Sequence, residues 1–158
     1  MLTADDELTE LQSLLDGAPT DASNLLPVLQ AVQRRLGHVS PGAVRLVAAA
    51  FNLSRAEVYG VVTFYGDLRE TSVGTHVVQV CMGEACQSVG CRTLMRHAEA
   101  TLGVAAGHTT PDGQFHLEAA YCFGNCALGP TVRIGDTIHG AITPERLPAL
   151  LTALRSAG

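Results

Sequence analysis

Apolar positions in the first 66 residues recur at helical spacing. Leu8, Leu11 and Leu15 form one stripe of a predicted helix over Thr3 to Leu15, with Gly17 beyond its end. Leu25, Leu29, Val32 and Leu36 form a second stripe, with Pro27 tolerable only in its first turn and Gly37 as the stop. Ser40-Pro41 supplies an N-cap and a first-turn proline for a third helix running through Ala43 to Phe51. Ser54-Arg-Ala-Glu57 is a capping box that opens a fourth helix through Val58, Val61 and Val62. Four short helices with brief connections predict an α-helical bundle over residues 1–70.

Beyond Gly74 the period changes. His76 to Cys81 is short and β-branched, and Phe115 to Cys122 alternates, so both read as strands that end in a cysteine. Pro111-Asp-Gly113 is a turn, with His108 to Thr110 a short strand before it. Thr131 to Ile134 and Thr137 to His139 flank Gly135-Asp136 as a hairpin. A helix is expected from Ser88 to Leu102, ended by Gly103. Another follows the Thr143-Pro144 cap and carries Leu147, Leu150, Leu151 and Leu154. The order β-α-β-β-β-α predicts a small α/β sandwich over residues 75–158, and the whole chain is α+β.

Composition narrows the function. Apolar residues make up 47% of the 158, enough for a core, but aromatics are only 4%, so Leu, Val and Ala must build it. Net charge is −5, every basic residue is an arginine, and no basic block occurs, which argues against nucleic acid. No apolar run approaches the roughly 20 residues that span a bilayer. The acidic N-terminus does not resemble a signal peptide, so a cytoplasmic location with reduced thiols is expected. Five cysteines in that setting favour metal, catalysis or inert burial over disulfides.

Four of them form a pattern. Cys81-x4-Cys86 and Cys122-x3-Cys126 both follow predicted strands, in loops that hold Gly83 and, in or just after the second, Gly124 and Gly129. Strand ends in one sheet approach each other, so the two loops can converge. A 2Fe–2S cluster needs four thiolates, two for each iron, and one loop per pair meets that need. The cluster's formal charge is about −2, and about −3 when reduced, so backbone N–H groups must come close to sulfur. A helix starting near Ser88 is expected to aim its positive end at Cys86. Met82, Tyr121, Phe123 and Leu128 are the apolar neighbours expected to exclude water.

Other readings compete. Zinc also takes four cysteines but usually as C-x2-C pairs, so a zinc-stabilised binding module is an alternative. Inert buried thiols are another, and a thiol sensor built on Cys91 and one neighbour is a third. Cys91 shares an apolar helical face with Leu94, Met95, Ala98 and Leu102 and reads as a core thiol. His38, His76, His97, His108, His116 and His139 show no paired metal spacing and read as structural or surface groups. There is no dinucleotide fingerprint, phosphate loop or nucleophile elbow, so no catalytic residue is assigned and no hydride chemistry is expected of this chain.

These residues resemble the thioredoxin-like 2Fe–2S subunits of NADH:quinone oxidoreductase, NAD-linked hydrogenases and NAD-dependent formate dehydrogenases. Leu25 to Gln33, Ser54 to Gly60 and Thr63-Phe-Tyr65 look like that family's helical half, and the two cysteine pairs match its four ligands. Glu84 to Gly90, Tyr121 to Pro130 and the Gly135 to Gly140 hairpin look most like the gamma subunits of the molybdenum-containing formate dehydrogenases. Cys91 departs from the pattern, where a small non-cysteine residue is commoner. The resemblance implies an electron carrier within a complex. One partner would hold FMN, NAD and further iron–sulfur clusters, and another would hold the molybdenum cofactor. The helical half would dock on the flavin subunit, with Phe64 and Tyr65 at its junction with the α/β half. Core packing of that pair is an equal expectation.

Overall fold

A computed structural model describes residues 4–155 and divides the chain into two compact units, Met1–Ser72 and Val73–Gly158. The first unit contains α1 (Ala4–Asp16), α2 (Leu25–Leu36), α3 (Pro41–Ala50) and α4 (Arg55–Phe64). Thr3, the expected first residue of α1, lies outside the described residues. The local signals act as their chemistry requires. Gly37 ends α2 at φ +80°, and the Ser40 hydroxyl accepts from the Ala43 N–H. Ser54 and Glu57 complete the capping box. A 3-10 turn at Ala22–Asn24, capped by Asp21, leads into α2.

The four helices bury one shared core. Leu11 and Leu15 of α1 meet Val28, Leu29 and Val32 of α2, Val44 and Val47 of α3, and Val58 and Val62 of α4. Leu8, placed on the α1 stripe by its spacing, is instead exposed, as are Phe64 and Tyr65. Phe64 is 80% exposed and meets Tyr65 edge to face at 5.2 Å, so the expectation of core packing fails for this pair.

The second unit is a mixed five-stranded sheet with two longer helices on one face. Its strands are β1 (His76–Cys81), β2 (His108–Thr109), β3 (Phe115–Ala120), β4 (Val132–Ile134) and β5 (Thr137–His139), in the order β2-β3-β1-β4-β5. β1 and β3 are parallel and all other pairs antiparallel. Val78, Val80, Phe115, Leu117, Val132 and Ile134 line one face. Leu94, Met95, Ala98 and Leu102 pack on it with Leu147 and Leu151 of the last helix.

Three expected boundaries move by two residues or more. The helix predicted from Ser88 is two, α5 (Glu84–Ser88) and α6 (Cys91–Leu102), because Gly90 at φ +95° breaks the turn between them. β3 stops at Ala120 rather than Cys122, since Cys122 turns to φ +97° and leaves the ladder. The last helix, α7 (Leu147–Arg155), begins after a turn in which Arg146 and Leu147 N–H groups donate to the Thr143 carbonyl. Among the described residues no helix is long and apolar enough to cross a membrane.

Candidate metal centre

β1 and β3 run in parallel and side by side, so their C-terminal ends leave the sheet at one edge. Cys81 is the last residue of β1 and pairs with Ala120, two residues before Cys122. The Met82 N–H donates to the Ala120 carbonyl at 2.6 Å, which keeps the two chains together past the last pair. α5 then carries Cys86 back over this edge, and a 3-10 turn at Cys126–Leu128 carries Cys126. All four candidate ligands therefore sit at one end of the sheet.

They sit as two pairs. Cys122 Sγ and Cys126 Sγ are 3.7 Å apart. A tetrahedral centre with metal–sulfur bonds of about 2.3 Å separates two of its thiolates by about 3.8 Å, so this pair suits one ion. The Cys81 and Cys86 thiols are hydrogen-bonded to each other. Among the described residues, no group of three or more His, Cys, Asp or Glu side chains is disposed to hold a metal ion.

Backbone donors surround the sulfurs. Gly83, Cys122 and Phe123 present N–H groups to Cys81, so the second loop donates to a cysteine of the first. Gly124 N–H donates to Cys122 Sγ at 3.3 Å. Thr131 offers its N–H and hydroxyl to Cys86. Burial pushes the Cys81 thiol up, but these donors and Cys86 outweigh it and hold Cys81 below the usual thiol range. Cys86 is pushed up by burial and by the neighbouring Cys81, against the Thr131 donors. Cys126 is pushed up by its hydrogen bond with Cys122 and by that neighbour's charge. Such donors favour anionic sulfur, and therefore suit a negatively charged iron–sulfur group.

This donor set differs from the expected one. The long helix α6 starts at Cys91, three residues later than expected, and loop N–H groups from Gly83, Cys122, Phe123 and Thr131 donate to the first pair. Close approach explains one glycine. A Cβ on Gly129 would stand 3.2 Å from Cys86 Sγ and 3.0 Å from a Val89 methyl carbon. Gly129 is also joined to Pro130 by a cis peptide bond.

The apolar surroundings are uneven. Met82 and Phe123 pack against the cluster of Cys81, Cys86 and Cys91, but Tyr121 and Leu128 are exposed and do not shield the thiols. A cavity of about 400 Å³ beside the second loop is lined by Phe123, Gly124, Asn125, Leu128, Ile138 and Gly140. Cys91 is fully buried behind the first pair, with its Sγ 3.7 Å from Met82 Sδ. Burial and the charge of Cys81 push its thiol up, as befits a packing residue. Two features had no sequence signal: the left-handed backbone of Cys122, and Arg133 of β4 lying over the Phe123 ring.

Comparison with known proteins gives the family and the fold. Residues 11–155 match the family described as thioredoxin-like 2Fe-2S ferredoxin. The chain is 34% identical over 148 residues to an NADH-quinone oxidoreductase subunit of Rhizobium meliloti (strain 1021), covering 94% of this chain and 88% of that one. It is 31% identical over 142 residues to the HndA subunit of the NADP-reducing hydrogenase of Solidesulfovibrio fructosivorans, covering 90% and 83%. Among solved structures it is similar in fold to a chain of an NAD+-reducing NiFe-hydrogenase in its H2-reduced state. That match has a TM-score of 0.76 at 19% identity and covers 87% of this chain but only 23% of the other.

Proposed function

The chain belongs to the thioredoxin-like 2Fe-2S ferredoxin family, and from that premise we propose that it is the 2Fe–2S electron-transfer subunit of a cytoplasmic NAD-linked oxidoreductase complex. The observation that carries this reading is the meeting of two cysteine pairs at the ends of adjacent parallel strands, with backbone N–H groups aimed at their sulfurs. Cys81 and Cys86 would hold one iron, and Cys122 and Cys126 the other. The group supplies one-electron redox chemistry when bound. The chain's own part is to fix the thiolates, supply donors to them, and leave one pair open to a partner. Residues 75–158 form the iron–sulfur domain. Residues 1–70 form a helical bundle that docks on an FMN- and NAD-binding iron–sulfur subunit, and the exposed Phe64 and Tyr65 serve that contact.

For the holoenzyme, the cysteine-loop wording, Glu84 to Gly90 and Tyr121 to Pro130, supports an NAD-dependent formate dehydrogenase with a molybdenum-containing catalytic subunit. The names of the relatives support a second reading, the equivalent subunit of an NADH:quinone oxidoreductase or an NAD-linked hydrogenase. The purified chain is expected to be reddish brown, to carry about two irons and two sulfides, and to give an EPR signal on reduction. A colourless chain with one zinc would sink the cluster reading. Co-purification from the native source, then assays of formate-, hydrogen- and quinone-linked NAD(H) turnover, separates the complexes. A stable complex that lacks a molybdenum subunit and ignores formate would sink the formate reading.

A further inference from the structure

The sheet face opposite the apolar core carries an unbroken line of polar side chains across four strands. Thr109 Oγ1 on β2 and His116 Nδ1 on β3 are 2.8 Å apart, and His116 Nε2 lies 3.1 Å from Glu118 Oε1. The Gln79 amide on β1 donates to Glu118 Oε2 at 2.9 Å, and Arg133 Nε on β4 donates to Gln79 Oε1 at 2.6 Å. Register creates the line, because Thr109 faces His116, Gln79 faces Glu118, and Arg133 faces Gln79. Gln79 and His116 are buried. With both ends of the Gln79 amide engaged, its orientation is fixed, and with it the acceptor that aims the Arg133 guanidinium.

The line ends at the metal centre. The Arg133 guanidinium carbon lies 5.3 Å from the centroid of the Phe123 ring. Phe123 is the residue after Cys122 inside Cys122-x3-Cys126, and its N–H is one of the donors to Cys81. A guanidinium over an aromatic face both restrains the ring and keeps a permanent positive charge beside it. Mutual satisfaction of the polar residues within the sheet accounts for the line, and the contact of Arg133 with the Phe123 ring is additional to it.

We propose that Arg133 is a positioning residue for the second cysteine loop: it clamps Phe123 in place and holds a fixed positive charge beside the loop that carries Cys122 and Cys126, so that the reduced state is favoured. This rests on the 2Fe–2S reading. The charge near the thiolates grows by one unit on reduction, so a nearby cation raises the midpoint potential.

The full-length chain is compared with Arg133→Met and Arg133→Lys by iron content, redox titration and EPR. At a fixed potential, Arg133→Met is expected to raise the ratio of oxidised to reduced protein about fivefold, a fall of about 40 mV for a one-electron couple. Its EPR lines should also broaden as the loop loosens. Arg133→Lys should restore the potential and leave the lines broad, since an ammonium keeps the charge without the planar stack. A fully loaded Arg133→Met protein with the parent potential and line shape would overturn the proposal. Should Arg133→Met fail to load, Gln79→Leu keeps the arginine and removes its aim; it is expected to broaden the lines, and an unchanged spectrum would equally overturn the proposal. A parent chain without iron would refute the functional reading itself, before any variant is compared.

Discussion

The two cysteine loops bring the same kind of side chain to the same edge of one sheet from opposite environments. Cys81 and Cys86 are each 2% exposed, one closing the central strand and the other on the first turn over it. Cys122 and Cys126 are exposed, on a loop and a single 3-10 turn that lie past the end of β3. The first pair is part of an apolar cluster with Cys91, Met82 and Phe123, so its positions are set by packing. The second is set by backbone conformation, with Cys122 at φ +97° and its sulfur held by the Gly124 N–H. A site built this way has a fixed wall and an open side.

The difference between the pairs is tested most severely at the ligands. Serine at any of the four positions should abolish the visible spectrum and iron content expected of the parent protein. The two pairs should then separate in the metal-free protein. Cys81→Ser or Cys86→Ser buries a hydroxyl, costs about 1–3 kcal/mol and lowers Tm by roughly 5 °C or more. Cys122→Ser or Cys126→Ser should leave the metal-free Tm within about 1 °C, because surface changes cost little. Equal losses from both pairs would end the distinction between wall and open side.

Alkylation of the metal-free chain probes the same contrast without mutation. Iodoacetamide at neutral pH should label Cys122 and Cys126 first, and mass spectrometry should find Cys81, Cys86 and Cys91 modified at least about 100-fold more slowly, since access limits buried thiols. Gly129→Ala tests where the loops touch. The added methyl would crowd Cys86 Sγ at 3.2 Å, so iron loading should fall severalfold, with a stability loss of about 1–3 kcal/mol. The smallest effect is expected from Cys91→Ala, which leaves a small cavity behind the first pair. It should cost about 1 kcal/mol in thermal unfolding and keep both irons.

What could be read from the sequence follows from the range of the interactions. The Ser54–Glu57 box, the Ser40-Pro41 start and the Gly37 stop each involve neighbours within four residues, and each ends or begins its helix as expected. The cysteine pairs were visible because ligand spacing within a loop is also local. Their meeting followed from both loops succeeding strands. Gly90 gave no such signal, because the same residue inside a helical pattern can be tolerated or can break it, and only its φ of +95° distinguishes the two. Tyr121 and Leu128 are apolar and adjacent to ligands, yet adjacency along a loop does not fix the side on which a side chain falls. The Arg133–Phe123 contact required the strand order β3-β1-β4, which no local pattern contains.

The parallel pairing of β1 with β3 also carries a consequence in time. Cys81 and Cys122 become neighbours only when two strands separated by α5, α6 and β2 have closed on each other. Parallel strands need such a crossover, and its closure entropy must be met before the contact is made. A nascent chain that has emerged as far as Cys86 offers one thiol pair and no second wall. On the 2Fe–2S reading, four-thiolate capture would therefore wait for the sheet to close.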